Sequence, residues 1–169
     1  MPLVVGNTAL SPSQFLTLVL LDVENLCGGA LAVTSNMCRQ VRYRLAETVD
    51  LSSALVVVAS GKQAQRMNPH IKRDVGATYH LVRPGMDGAD KALLAFASSH
   101  ELLGYQRVVI GSGDHAFAGL AKELSSKGID VSVLACRASV ARELRNASSQ
   151  VHHFAPLRVI QYKRTTGGR

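Results

Sequence analysis

The sequence predicts an α/β fold in which helices cover both faces of a central, mainly parallel sheet. Runs at residues 15–21 and 54–59 are continuously apolar (but for Thr17), the pattern of strands buried on both faces, and 78–82, 106–110 and 131–134 read as three further strands. Segments with helical spacing separate them. Strands alternating with helices imply right-handed crossovers and a three-layer α/β/α sandwich. The first and fourth runs end in Asp22-Val23-Glu24-Asn25 and Gly111-Ser112-Gly113-Asp114, at the sheet edge where open α/β folds place their ligands.

Taken in order, residues 1–13 hold two prolines and no clear period, an irregular lead-in to a single domain over 14–160. The first strand, FLTLVLL, is apolar but for Thr17. A Gly-containing loop is expected over 26–34. Ser35 or Asn36 then caps a helix to about Thr48, with Met37, Val41 and Leu45 on one face. Arg39, Arg42 and Arg44 lie elsewhere on it, beside a substrate groove or as a solvated face. After the second strand, 60–69 reads as a short helix or turn that offers Gly61-Lys62 and Arg66 to a phosphate, without the spaced glycines of a Walker loop. Arg83-Pro84-Gly85 breaks the chain after the third strand. Asp87 fits an N-cap, which leaves Asp90 in the first turn of a helix through 91–103. Asp114 starts a helix that ends at Lys127-Gly128. Residues 139–147 suit a last helix, 151–159 an edge strand, and 161–169 a flexible basic tail.

Length and composition, with 47% apolar and 18% charged residues, describe one globular domain with a real core. The longest apolar stretch is far short of the ~20 residues of a membrane span. The N-terminus shows no secretory signal pattern, so a cytoplasmic protein without membrane association is expected. Cys27, Cys38 and Cys136 match no zinc spacing and read as reduced thiols. The Ala-, Arg- and Val-rich composition suggests a high-GC bacterial source. It permits a homodimer without specifying one.

The net charge of +7 points to a polyanionic partner. More telling is the placement of the 12 acidic residues, five of which (Asp22, Glu24, Asp87, Asp90 and Asp114) fall in three short loops. If the fourth strand lies beside the first, the loops of Asp22 and Asp114 face each other across the sheet's reversal point, and Asp90 starts a helix at the same edge. Carboxylates converging there raise one another's pKa unless a cation neutralises them. An oxygen-only set suits Mg²⁺ or Mn²⁺, and such ions over a phosphodiester activate water and stabilise the leaving oxygen. Asp114 also suits a plain N-cap, Glu24 and Asn25 a plain turn, and His115 a surface loop. His152-His153 is a poor metal pair, because adjacent strand residues point to opposite faces. Ser112 lacks the Gly-x-Ser-x-Gly elbow of a nucleophile.

Three motifs together resemble one family. LLDVENL resembles the first motif of NYN domains, the PIN-like ribonuclease branch. GADKALLAFAS is similar to their second motif, and VVIGSGDHAFAGLAKELSSKGIDVSVLA to their third. The resemblance spans about residues 16–135 and implies a PIN-like, Rossmannoid fold and a metal-dependent ribonuclease with RNA as partner. Carried over, it makes Asp22, Asp90 and Asp114 the metal-binding acids. Asn25 and Ser112 become the residues that orient the loops or the substrate. One departure stands out: the family usually has a second Asp two residues after the Asp of Ser-Gly-Asp, where this chain has Ala116. Glu24, Asp87 or His115 are the candidates to compensate. The missing acid favours the rival reading, a catalytically weak or inactive PIN-like module that binds RNA or a protein. A Rossmann-like nucleotide-binding domain ranks last, because no Gly-x-Gly-x-x-Gly follows the first strand.

Overall fold

The computed structural model describes residues 16–136 and 140–155. Its strands are β1 (Thr17–Asp22), β2 (Ala54–Ser60), β3 (Tyr79–Val82), β4 (Arg107–Gly111), β5 (Asp130–Cys136) and β6 (Gln150–Phe154). They form one sheet in the order β3-β2-β1-β4-β5-β6, parallel at every pairing. The helices are α1 (Val23–Cys27), α2 (Ser35–Ala46), α3 (Lys62–Met67), α4 (Ile71–Val75), α5 (Gly88–Ser99), α6 (Ala118–Ser126) and α7 (Arg142–Asn146). Short 3₁₀ turns sit at Ala30–Ala32, Leu51–Ser53 and His115–Phe117.

Side chains alternate across the pleat, so continuous apolar strands feed two cores. Val19, Leu21, Val56, Val58, Val109 and Leu134 face Met37, Val41 and Leu45 of α2 and Ile71 of α4. On the other face Leu18, Leu20, Leu55, Val57, Val108 and Ile110 meet Leu93 of α5, and Phe117, Ala121 and Leu124 of the α6 region. No helix among the described residues is long and apolar enough to cross a membrane.

The order of the strands decides where chemistry can sit. β1 pairs with β2 on one side, Leu21 opposite Val58, and with β4 on the other, Leu21 opposite Gly111. The chain leaves β1 toward β2 and β3 and leaves β4 the other way toward β5 and β6, and this divergence opens a crevice at the carboxyl ends of β1 and β4. A Cβ at Gly111 would lie 2.3 Å from Leu21 Cδ2, so glycine is what lets the ends of β1 and β4 come this close.

Several local expectations need correction. Thr34, not Ser35 or Asn36, caps α2: its backbone is extended and its Oγ1 accepts from Met37 N at 3.3 Å, whereas Ser35 is already helical. α2 stops at Ala46, and α5 at Ser99 rather than running on through 103. The segment after β1 is not all loop, because Asp22 nucleates the short α1. Asp87 holds the cap position of α5, but its side chain takes no backbone N–H there; it is left-handed, φ 54°, and exposed. Asp114 starts a 3₁₀ turn before α6 begins at Ala118. Helix α4 falls in a stretch where the sequence pattern predicts no element of its own. The 1–13 lead-in, the basic tail, residues 156–159 of the edge strand and Ser139 lie outside the described residues.

A candidate acidic active site

β1 is nearly all Leu and Val, and its end is buried, so Asp22 arrives at the crevice with little solvent around it. The side chain is 6% exposed, and its Oδ1 accepts from Glu24 N at 3.0 Å and Asn25 N at 3.1 Å, capping α1. Asp90, in the first turn of α5, is 7% exposed. Burial raises the pKa of Asp22 to about 8; its hydrogen bond with Asp90 adds to the rise, and the Asn25 amide opposes it. Asp90 is also raised, first by burial and then by the charges of Asp114, Asp87 and Glu24, against the Asp22 hydrogen bond. The two carboxyls therefore behave as a pair that shares a proton. Asp90 Oδ1 is buried and has no hydrogen-bond partner.

Around this pair lies a cleft of about 360 Å³ lined by Asp22, Glu24, Asn25, Asp87, Asp90 and Asp114, with glycines 28, 29 and 88. Gly88 allows α5 to start here: a Cβ would stand 2.2 Å from the Arg83 carbonyl oxygen. Asn25 Oδ1 accepts from Gly113 N at 3.0 Å and so ties the β1 loop to the β4 loop. Ser112 is fully buried, its Oγ accepting from Asp114 N at 3.2 Å, which shapes the loop from inside. Asp114 Oδ1 accepts from Ala116 N at 2.8 Å and lies 3.1 Å from Nδ1 of the exposed His115. Glu24 is turned toward β2, where it accepts from Gly61 N.

Other sequence candidates lie apart from the cleft. Arg44 pairs with Glu47 at 3.1 Å, and Arg42 lies against Gly76, where a Cβ would be 3.1 Å from its guanidinium carbon. In β6, His152 approaches Arg107 Nη2 at 3.3 Å while His153 is exposed, on the opposite face. All three cysteines are free thiols. The cleft-lining place of Gly28 and Gly29 is absent from the sequence-based expectations, although a Gly-Gly pair so close to a strand-end carboxylate was a usable signal.

The chain matches the NYN domain family over residues 17–156. It belongs to that family. NYN domains are generally PIN-like nucleases that bind RNA and use divalent metals. A solved structure of a protein of unknown function from Vibrio parahaemolyticus is similar in fold to this NYN domain, with a TM-score of 0.55 and 19% identity. The alignment covers 85% of this chain and 95% of that one. No curated protein matches it.

The donor set bears on what this NYN domain can hold. Among the described residues, no three His, Cys, Asp or Glu side chains form a ready-made metal cage. The Asp22–Asp90 pair nevertheless fits a hard divalent cation. It offers carboxylate oxygens only, one of them buried without a partner, and a cation would offset the burial that otherwise disfavours their ionised form. Mg²⁺ is commonly held by one or two carboxylates, its other positions filled by water and substrate phosphate.

Proposed function

We propose that this NYN domain is a divalent-metal-dependent ribonuclease that hydrolyses RNA phosphodiesters at the Asp22–Asp90 pair. The observation that carries the reading is the pair itself: two buried carboxyls at the sheet's reversal point, both raised in pKa, one with an oxygen free of partners. Asp22 and Asp90 would hold Mg²⁺ or Mn²⁺, with Asp114 completing the set across the cleft. Bound there, the metal would supply Lewis-acid stabilisation of a phosphodiester and a more acidic water. The chain's own part is positional. The amides of Glu24 and Asn25 orient Asp22, Asn25 locks the two loops together, and Ser112 fixes the backbone that presents Asp114.

Cleavage of labelled single-stranded and hairpin RNA with Mn²⁺, beside an EDTA control and Asp22→Asn, tests this. Metal-dependent cutting that Asp22→Asn abolishes is expected. Full activity in that variant overturns the assignment. A readout apart from activity is the melting midpoint, which Mn²⁺ should raise in the wild type only.

Ala116 favours a second reading, an RNA-binding module with little or no cleavage. The residue is exposed and its N–H bonds Asp114 Oδ1, so a carboxylate there has room beside Asp114. Ala116→Asp is expected to tighten Mn²⁺ binding and increase cutting. If the wild type retains RNA uncut and Ala116→Asp begins to cleave it, the binding module is the native function.

A further inference from the structure

Next to the acidic cleft the chain builds a lip of opposite character. Gly28 and Gly29 line the cleft, and the turn Ala30–Ala32 that follows packs against α3. α3 is tied to the cleft as well, because the cleft residue Glu24 accepts from the N–H of Gly61, directly before α3. A Cβ at position 61 would meet Glu24 Oε1 at 2.8 Å. On this lip Lys62 and Arg66 are exposed, four residues apart and therefore on one side of the helix. Leu31 and Met67 are 65% and 53% exposed on the same packed pair of elements. Exposed cations and exposed apolar side chains on this one packed pair of elements offer charge to phosphate and apolar contact to base. A duplex hides its base faces, so the apolar contacts are available only to unpaired nucleotides.

We propose that the lip formed by Leu31, Lys62, Arg66 and Met67 is the track along which single-stranded RNA enters the cleft. Lys62 and Arg66 hold its phosphates, and Leu31 and Met67 pack against its unpaired bases. This inference rests on RNA being the substrate of the acidic site, and its test separates the two claims.

Binding of a labelled RNA oligonucleotide, alone and annealed to its complement, is measured by fluorescence anisotropy in EDTA across a salt series. Wild type is expected to prefer the single strand. Lys62→Glu with Arg66→Glu should weaken binding about tenfold at moderate salt and flatten the salt dependence by roughly 0.7 for each phosphate left without its cation. Leu31→Ser with Met67→Ser should narrow the preference for single strand over duplex. Lys122→Glu, on the exposed side of α6, should bind like wild type. All these positions are exposed, so folding is not at stake. Lip variants that bind as tightly as wild type, or an equal loss in Lys122→Glu, overturn the track while leaving an RNA-binding site intact. A wild type that binds no RNA overturns the proposed substrate itself.

Discussion

Asp22 carries a proton in the metal-free folded chain that the unfolded chain releases. Its pKa is about 8 in the fold against an ordinary 3.8, so between these values the folded state binds more protons than the unfolded one. Stability from this source is fully present below pH 4 and is lost as pH rises through 8. In EDTA, the melting midpoint of Asp22→Asn should therefore gain on that of the wild type between pH 5 and pH 8. Added Mn²⁺ should reverse the ranking at pH 8, because only the wild type keeps both carboxylates of the Asp22–Asp90 pair to hold it. Parallel midpoint curves for the two proteins would show that Asp22 is an ordinary carboxylate. At this scale Asp22 was legible in the sequence, since an acid after an all-apolar strand has few structural uses. That Asp90 comes to the same edge was legible too; the hydrogen bond between Asp22 and Asp90 was not, because it depends on how far α5 is pushed toward β1. Asp87 misled: its place before the helix suggested a cap, but the left-handed backbone keeps its carboxylate off the first-turn amides.

Elements position these residues through close approaches that tolerate no side chain. α5 enters beneath the Arg83 carbonyl, and Gly88→Ala would put a methyl 2.2 Å from that backbone oxygen. Backbone cannot step aside as a side-chain end can, so a cost of about 1–3 kcal/mol is expected, as for overpacking elsewhere. Urea denaturation measures it, and the Mn²⁺-induced shift in melting midpoint should shrink with it as Asp90 is displaced. Gly119→Ala is the matched control. Position 119 lies in α6 with open space around it, so alanine should be neutral or stabilise by up to roughly 1 kcal/mol. Equal effects at the two sites would remove the steric argument. β1 and β2 were the most legible strands, because burial on both faces leaves an unbroken apolar signature, whereas the edge strand β3 is only partly buried along its length. α1 and α4, five residues each, were not legible: so short a helix leaves no period to read, and α1 exists because Asp22 caps it.

Across the whole molecule, charge is segregated. A chain of net charge +7 concentrates Asp22, Glu24, Asp87, Asp90 and Asp114 around one cleft, where the phosphate of the proposed RNA substrate would meet repulsion. Under the proposed function the basic remainder draws the polyanion in, and a cation neutralises the cleft before the backbone settles. Removing the two rim charges should expose that balance. In EDTA at low salt, Asp87→Asn with Asp114→Asn should bind single-stranded RNA more tightly than wild type. The advantage should fade as salt shortens the screening length from ~30 Å at 0.01 M to about 3 Å at 1 M. Mn²⁺ should also close the gap, from the other direction, by tightening the wild type toward the variant. Anisotropy titrations over salt and Mn²⁺ read both trends. An advantage that persists at high salt would mean the substitutions built a new contact rather than lifting a repulsion, and segregated charge would then not explain how RNA reaches the cleft.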